Sequence, residues 1–316
     1  MKLTSFRKAA TVTAIAALVA TGTAGCNRTP AGEADRPTVV LSLSTLNNPF
    51  FVELRDGATA EAKKKNVDLE IVDAQNDSAT QANQLATAAS TADAVILNAV
   101  DSDAAGPAAK ALNDANVPIV AVDRAVNGAD VASFVASDNV AGGEQAAKAL
   151  AEAIGEKGEV IVLQGVAGTS ASRDRGEGFT KGIAAYPDIT VVAQQTANFD
   201  RATALDVTTN LLQAHPNAVG VFAENDEMGL GAIQALGSRA GTDVKVAAFD
   251  GTEDGLKAIE AGTLSSTIAQ QPAELGALAV DQAVKAIDGG SGDEGPSDQA
   301  VEVITVTKEN VGDFLE

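Results

Sequence analysis

From Thr38 onward the chain alternates short apolar runs with longer stretches whose apolar positions recur at helical spacing. The runs TVVLSLS, VDLEIVDA, DAVILNA, VPIVAVD and VASFVASD have the length and Val/Ile content of strands buried on both faces. A second series begins at Gly158 with GEVIVLQG, ITVVAQQ, AVGVFAEND, DVKVAAFDG and LSSTIAQ, separated by helical stretches such as Arg201 to Ala214 and Gln271 to Ile287. Such alternation predicts parallel sheets built from βαβ units, and its repetition predicts two similar α/β units. After a Gly/Ser/Asp-rich loop, GGSGDEGPSDQ (Gly289 to Gln299), the run AVEVITV reads as one further strand that must return to one of the units.

The N-terminal segment has a different pattern. Lys2, Arg7 and Lys8 precede the apolar run AATVTAIAALVA, which is too short to span a bilayer comfortably and reads as an export signal. It ends in TAGC, and Cys26 is the only cysteine of the chain. Small residues before a lone Cys resemble the bacterial lipobox, in which that Cys is lipidated and becomes the first mature residue; Thr23 stands where Leu is usual. A plain exported protein cut nearby is the alternative. Residues 27–37, NRTPAGEADRP, lack apolar periodicity and read as a tether.

Composition removes several function classes. The 316 residues are 45% hydrophobic, enough for a substantial core, and Lys+Arg 22 against Asp+Glu 43 gives a formal charge of -21. Nothing basic is concentrated enough to follow a phosphate backbone, so nucleic acid is not an expected partner. With one His and no Trp, neither His-based catalysis nor a multi-His metal site has much to draw on, and no metal or cofactor is expected. His215, in AHPN, reads as a turn residue at a helix end.

The polar chemistry recurs at one kind of position. Asn98 ends VILN, Asp123 and Arg124 end IVAVDR, Asn225 follows VGVFAE, Asp250 ends VAAFD and Gln270 ends STIAQ. C-terminal strand ends of an open parallel sheet form the crevice where ligands bind. Any single Asp or Asn there could instead cap the following helix. The stretch STLNNPFF adds Asn48, Phe50 and Phe51 after the first strand. Carboxylates, amides and guanidinium beside flat apolar rings suit a small polyhydroxylated molecule, whose hydroxyls both donate and accept while its C–H faces pack on aromatics. Either Phe could equally be a staple into the core. Phe134, Phe222 and Phe249 lie inside apolar runs and read as core.

The segments STLNNPFF, DSDA, ASDN, LQGVAGTSASRDRGEGF, FDRATALDVTTNLLQAHP, FAENDEMGLGAIQAL, FDGTEDG and TIAQ resemble the ribose-binding members of the type I periplasmic binding proteins of bacterial ABC importers. The resemblance runs from Thr38 to about Val306. It implies two Rossmann-like lobes, 38–138 plus 271–302 and 139–270 plus 303–316, joined by three crossovers near Asp138, Gln270 and Val303. It also implies a ribose site of Asn48, Phe50, Phe51, Asn98, Asp123, Arg124, Arg175, Phe199, Asn225, Asp250 and Gln270, in which Arg175, rather than Arg173, and Phe199 rest on the resemblance alone. The partners implied are D-ribose or a similar monosaccharide and a membrane permease, for an exported, monomeric carrier held at the membrane by lipid on Cys26.

Other readings are a carrier of allose, xylose or galactose, or a sugar sensor that partners a chemoreceptor. A glycosidase could pair Asp123 with Asp250, although Arg124 would hold the neighbouring acid ionised. The Gly-rich segments GEGFTKG and GLGAIQALG lack the spacing of a dinucleotide fingerprint, and their glycines read as helix-packing positions. The related repressors carry a DNA-binding helix-turn-helix where this chain has its export signal.

Overall fold

The computed structural model describes residues 36–289 and 295–315. The export signal, Cys26 and most of the expected tether, together with residues 290–294 of the acidic loop, lie outside the described residues.

Strands and helices alternate as the apolar pattern predicts, except that no helix separates the strands Ile119–Val122 and Ser133–Ser137, or Gln299–Val301 and Ile304–Thr307. In chain order the elements are β1 (Thr38–Leu43), α1 (Pro49–Lys65), β2 (Asp68–Asp73), α2 (Ser78–Thr91), β3 (Ala94–Leu97), α3 (Gly106–Asp114), β4 (Ile119–Val122) and β5 (Ser133–Ser137). They continue as α4 (Asn139–Ala153), β6 (Gly158–Gln164), α5 (Ser170–Ile183), β7 (Ile189–Thr196), α6 (Arg201–Ala214), β8 (Ala218–Ala223) and α7 (Asp226–Leu236). The last are β9 (Lys245–Asp250), α8 (Glu253–Ala261), β10 (Ser266–Ala269), α9 (Pro272–Ile287), β11 (Gln299–Val301) and β12 (Ile304–Thr307).

The strands form two six-stranded sheets, ordered β11-β5-β4-β3-β1-β2 and β12-β10-β9-β8-β6-β7. Every pairing is parallel except β12 on β10. Each sheet has an apolar cluster on either face, which is why its strands lack alternation. Leu41, Ile96 and Val120 of the first sheet and Ile161, Val221 and Val246 of the second are fully buried.

AVEVITV does not form one strand. Val301 closes β11 in the first sheet and packs with its core, whereas Val303 packs in the second core and leads into β12. Both valines are buried, so the crossover at Glu302 has the same apolar signature as a strand interior.

Of the glycines of the two rejected nucleotide-like motifs, Gly178, Gly182 and Gly231 sit where helices touch, whereas Gly229 packs on Ala248 of β9 and Gly237 ends α7 with nothing near it. A Cβ on Gly178 would come 2.0 Å from the Val140 carbonyl of α4, and one on Gly231 would come 2.3 Å from the Arg201 carbonyl of α6. No helix among the described residues is long and apolar enough to cross a membrane.

Candidate functional site

In both sheets the C-terminal strand ends converge on one cavity, whose empty space, open solvent included, is about 280 Å³. It is lined by Asn48, Phe50, Phe51, Asp123, Arg124, Ala171, Arg175, Phe199, Asn225, Asp250 and Gln270. Ten of the eleven residues named from the sequence are therefore brought together.

Asn98 stands behind the wall instead. It is fully buried, its Nδ2 donates to Asp123 Oδ2 (3.1 Å) and to the Val122 carbonyl (3.2 Å), and its Oδ1 accepts from Ser44 N (3.1 Å). With its amide engaged on protein, Asn98 orients Asp123. Gln81 braces this turn in the same manner, donating to the Asn98 carbonyl (3.0 Å) and accepting from Val100 N (2.8 Å).

Capping and lining are compatible at single residues. Asn48 caps α1 by accepting from Phe50 N (2.9 Å), and Asn225 caps α7 by accepting from Met228 N (2.9 Å), yet both line the cavity. Phe50 and Phe51, in edge-to-face contact at 5.1 Å, belong to the core of the first sheet and also form cavity wall.

The cations are held on aromatic faces. The Arg124 guanidinium lies 5.4 Å from the Phe51 centroid and 5.7 Å from that of Phe199, linking rings from opposite sides of the cavity. Arg175 lies 3.9 Å from the Phe249 centroid, donates from Nε to Asn139 Oδ1 (2.8 Å) and donates from Nη1 to the Glu224 carbonyl (2.6 Å). Arg173, by contrast, is exposed and pairs with Asp174. Phe249 thus combines the expected core position with a platform role that its apolar run could not disclose.

Each cation has a buried acid 3.6 Å away: Asp123 for Arg124, and Asp250 for Arg175. Gln270 Nε2 donates to Asp250 Oδ1 (2.7 Å). Burial pushes the Asp123 carboxyl up, with Arg124, Arg175 and Asn98 pulling the other way. Burial raises Asp250 well above the usual carboxylate range, against Arg175 and with Asp226 adding to it. The expectation that Arg124 simply holds Asp123 ionised weighs only the neighbouring charge; desolvation is the larger effect. Arg124 Nε and Gln270 Oε1 are buried without a hydrogen-bond partner among the described residues. Such atoms are rare unless something else satisfies them.

Asp123 (φ 63), Phe199 (φ 56) and Asp250 (φ 123) all have positive backbone φ, costing on the order of 1–3 kcal/mol each. The strain aims these side chains at the cavity. Phe199 also lies so close over Gly165 that a Cβ there would be 2.0 Å from the ring.

The loops flanking the cavity bond directly to one another. Ser102 N donates to the Gly168 carbonyl (3.0 Å), Ser170 N to Ser102 Oγ (3.2 Å) and Ala125 N to Ser170 Oγ (2.8 Å). Sequence reasoning missed Ser102, Ser170, Asn139, Gln81 and Ala171 as contributors. Ser102, Asn139 and Ser170 sit inside DSDA, ASDN and the long segment LQGVAGTSASRDRGEGF, all singled out without a role.

Residues 39–291 match the family described as periplasmic binding protein domain. The chain is 45% identical to the ribose import binding protein RbsB of Escherichia coli (strain K12), over 90% of this chain and 94% of that one. It is 46% identical to the ribose import binding protein RbsB of Bacillus subtilis (strain 168), over 78% and 80%. Among solved structures, it superposes with a TM-score of 0.81 and 35% identity on an ABC transporter periplasmic solute binding protein from Actinobacillus succinogenes 130z with bound D-allose, covering 88% of this chain and 100% of that one.

Proposed function

The chain belongs to the periplasmic binding proteins, and from that premise we propose that it captures D-ribose between its two sheets and delivers it to an ABC importer in the membrane. The observation that carries this reading is the make-up of one cavity, lined by the rings of Phe51 and Phe199 together with Asp123, Arg124, Arg175, Asn225, Asp250 and Gln270. The rings suit the C–H faces of a furanose or pyranose, and the carboxylates, amides and guanidinium groups match hydroxyls that both donate and accept. A misplaced hydroxyl would leave buried partners unpaired, at roughly 1–3 kcal/mol each, so the set discriminates between epimers. The likeness to ribose import binding proteins over nine-tenths of the chain supports ribose as that sugar.

Capture works by closure. We take 38–138 with 271–302 as one lobe and 139–270 with 303–316 as the other, so that the crossings near Asp138, Gln270 and Val303 form the hinge. A ligand touching both lobes binds the closed state better and shifts the population by that difference in affinity. The bonds from Ala125 and Ser102 to the Ser170 loop support a closed arrangement stabilised by protein as well as sugar. Export, with lipid on Cys26, would keep a monomeric carrier beside its permease.

D-Allose is the second reading, favoured by the sugar bound to the solved relative. Isothermal titration of the exported portion with ribose, allose, xylose, arabinose, galactose and glucose tests both. Preferential binding of ribose supports the first reading; preferential binding of another sugar replaces it. Release of product from a chromogenic glycoside would overturn capture without catalysis.

A further inference from the structure

Glu224 lies between β8 and Asn225 and is fully buried, with no group of its own lining the cavity. Its contacts nevertheless reach three parts of the cavity wall. Oε2 accepts from Gly165 N (2.7 Å) and from the hydroxyl of Ser172, joining the end of β6 to the first turn of α5. The Glu224 carbonyl accepts from Arg175 Nη1 (2.6 Å), and Arg175 stands three residues beyond Ser172 on the same helix. The adjoining Asn225 donates to the Phe199 carbonyl (3.3 Å).

Gly165 is the floor under Phe199, because the ring occupies the space where any Cβ would project. Both polar groups of that glycine are tied down: its N–H by Glu224 and, at 3.1 Å, by the Ser172 Oγ that Glu224 itself holds, and its carbonyl by Thr196 Oγ1 (2.5 Å). A shift of the Glu224 side chain therefore moves the surface against which Phe199 rests and loosens the helix that carries Arg175.

We propose that Glu224 is a positioning residue for ligand capture, fixing Phe199 through Gly165 and Arg175 through Ser172. The reading of the cavity as a sugar site underlies this assignment. A buried carboxyl is a costly way to hold a loop. Burial lifts Glu224 to about 7, against the bonds from Ser172 and Gly165 and the charge of Arg175, and Oε1 is buried with no partner among the described residues. An apolar residue of similar volume would spare that cost, but it could not accept from Gly165 and Ser172 together.

The test is isothermal titration of D-ribose into the native protein, Glu224→Gln, Glu224→Ala, Ser172→Ala and Leu236→Ala, with thermal unfolding of each. Leu236 is a core residue of α7 outside the cavity lining, so its variant lowers stability without touching the site. Glu224→Ala is expected to weaken affinity at least tenfold, and Ser172→Ala by a smaller factor. Glu224→Gln, whose amide oxygen can still accept both bonds, stays within about threefold of native, and Leu236→Ala keeps native affinity. Equal affinity of native and Glu224→Ala overturns the assignment, as does a loss in Leu236→Ala that matches it at matched stability. A native protein that binds another sugar of the panel instead of ribose overturns only the choice of ligand, and the same series run with that sugar decides the role of Glu224.

Discussion

The guanidinium of Arg175 rests 3.9 Å from the centre of the Phe249 ring, in the interior of the second sheet, while its Nη1 lies 3.6 Å from Asp250 Oδ1. A strand residue that packs the core thereby also sets the height of a cation in the cavity. Cation–π contacts contribute about 0.5–2 kcal/mol, more when desolvated. Phe249→Leu is expected to weaken ribose binding roughly 3- to 30-fold, beyond any loss that stability alone explains. Calorimetry at a temperature where the variant is fully folded checks this, and an unchanged Kd would remove the platform role.

Asp123→Ala or Arg175→Ala should weaken ribose binding by more than about tenfold, or ~1.4 kcal/mol. Because Asn98 acts by donating to Asp123, Asn98→Ala should also weaken binding, and its effect should largely vanish in an Asp123→Ala background. A double-mutant cycle measures that coupling. Additive losses would mean that Asn98 acts on the sugar by some other route.

The bond from Ala125 N to Ser170 Oγ joins the loops flanking the cavity without involving any residue of its lining. Removing it by Ser170→Ala biases the protein toward the open form, so affinity should fall by a similar factor for every sugar that binds, roughly 2- to 10-fold for one net hydrogen bond. Selectivity should stay as it was. Titration of the sugar panel, with small-angle scattering of the unliganded variant, checks both; altered selectivity would instead assign Ser170 a part in recognition.

The stability that two buried acids contribute should be lost between about pH 4 and 7 and level off above. Burial raises Glu224 from 4.5 to about 7 and Asp226 from 3.8 to about 6, so between about pH 4 and 7 the folded chain holds more protons on these groups than the unfolded chain. On their account stability is highest below the unfolded values and falls as pH rises through the folded ones. Glu224→Gln removes one of these losses and is expected to stabilise the protein by ~2–3 kcal/mol at pH 8, with little change near pH 4. Parallel Tm-against-pH curves for native and variant would contradict this. Asp200, held low by Thr203, acts in the opposite direction, and its contribution is lost in acid.

Much of this architecture could be read from the chain because its signals are local. The runs that became β1 to β10 carry their own lengths and branched side chains, and the polar residues of the cavity stand at the strand ends where parallel sheets collect them. Asn225 was open to a capping or a site reading and serves as both, and Asn48, read only as a site residue, caps its helix too. What could not be read depends on pairing across space. Nothing in FAEND distinguishes a Glu turned toward Gly165 from one exposed to solvent, and nothing in VKVAAFD distinguishes a ring beneath Arg175 from any other core Phe. The split of AVEVITV was illegible for the opposite reason, since both of its halves are as apolar as a continuous strand.

That split gives the last residues control over when either half is finished. A chain that emerges N-terminus first can pair β1 to β5 early, yet β5 keeps a bare hydrogen-bonding edge until β11 arrives, and β10 waits likewise for β12. Both edges are templates for pairing with other chains in the interval. Arrival of one short C-terminal segment seals the two sheets together, so losing it leaves two adhesive edges rather than one damaged half.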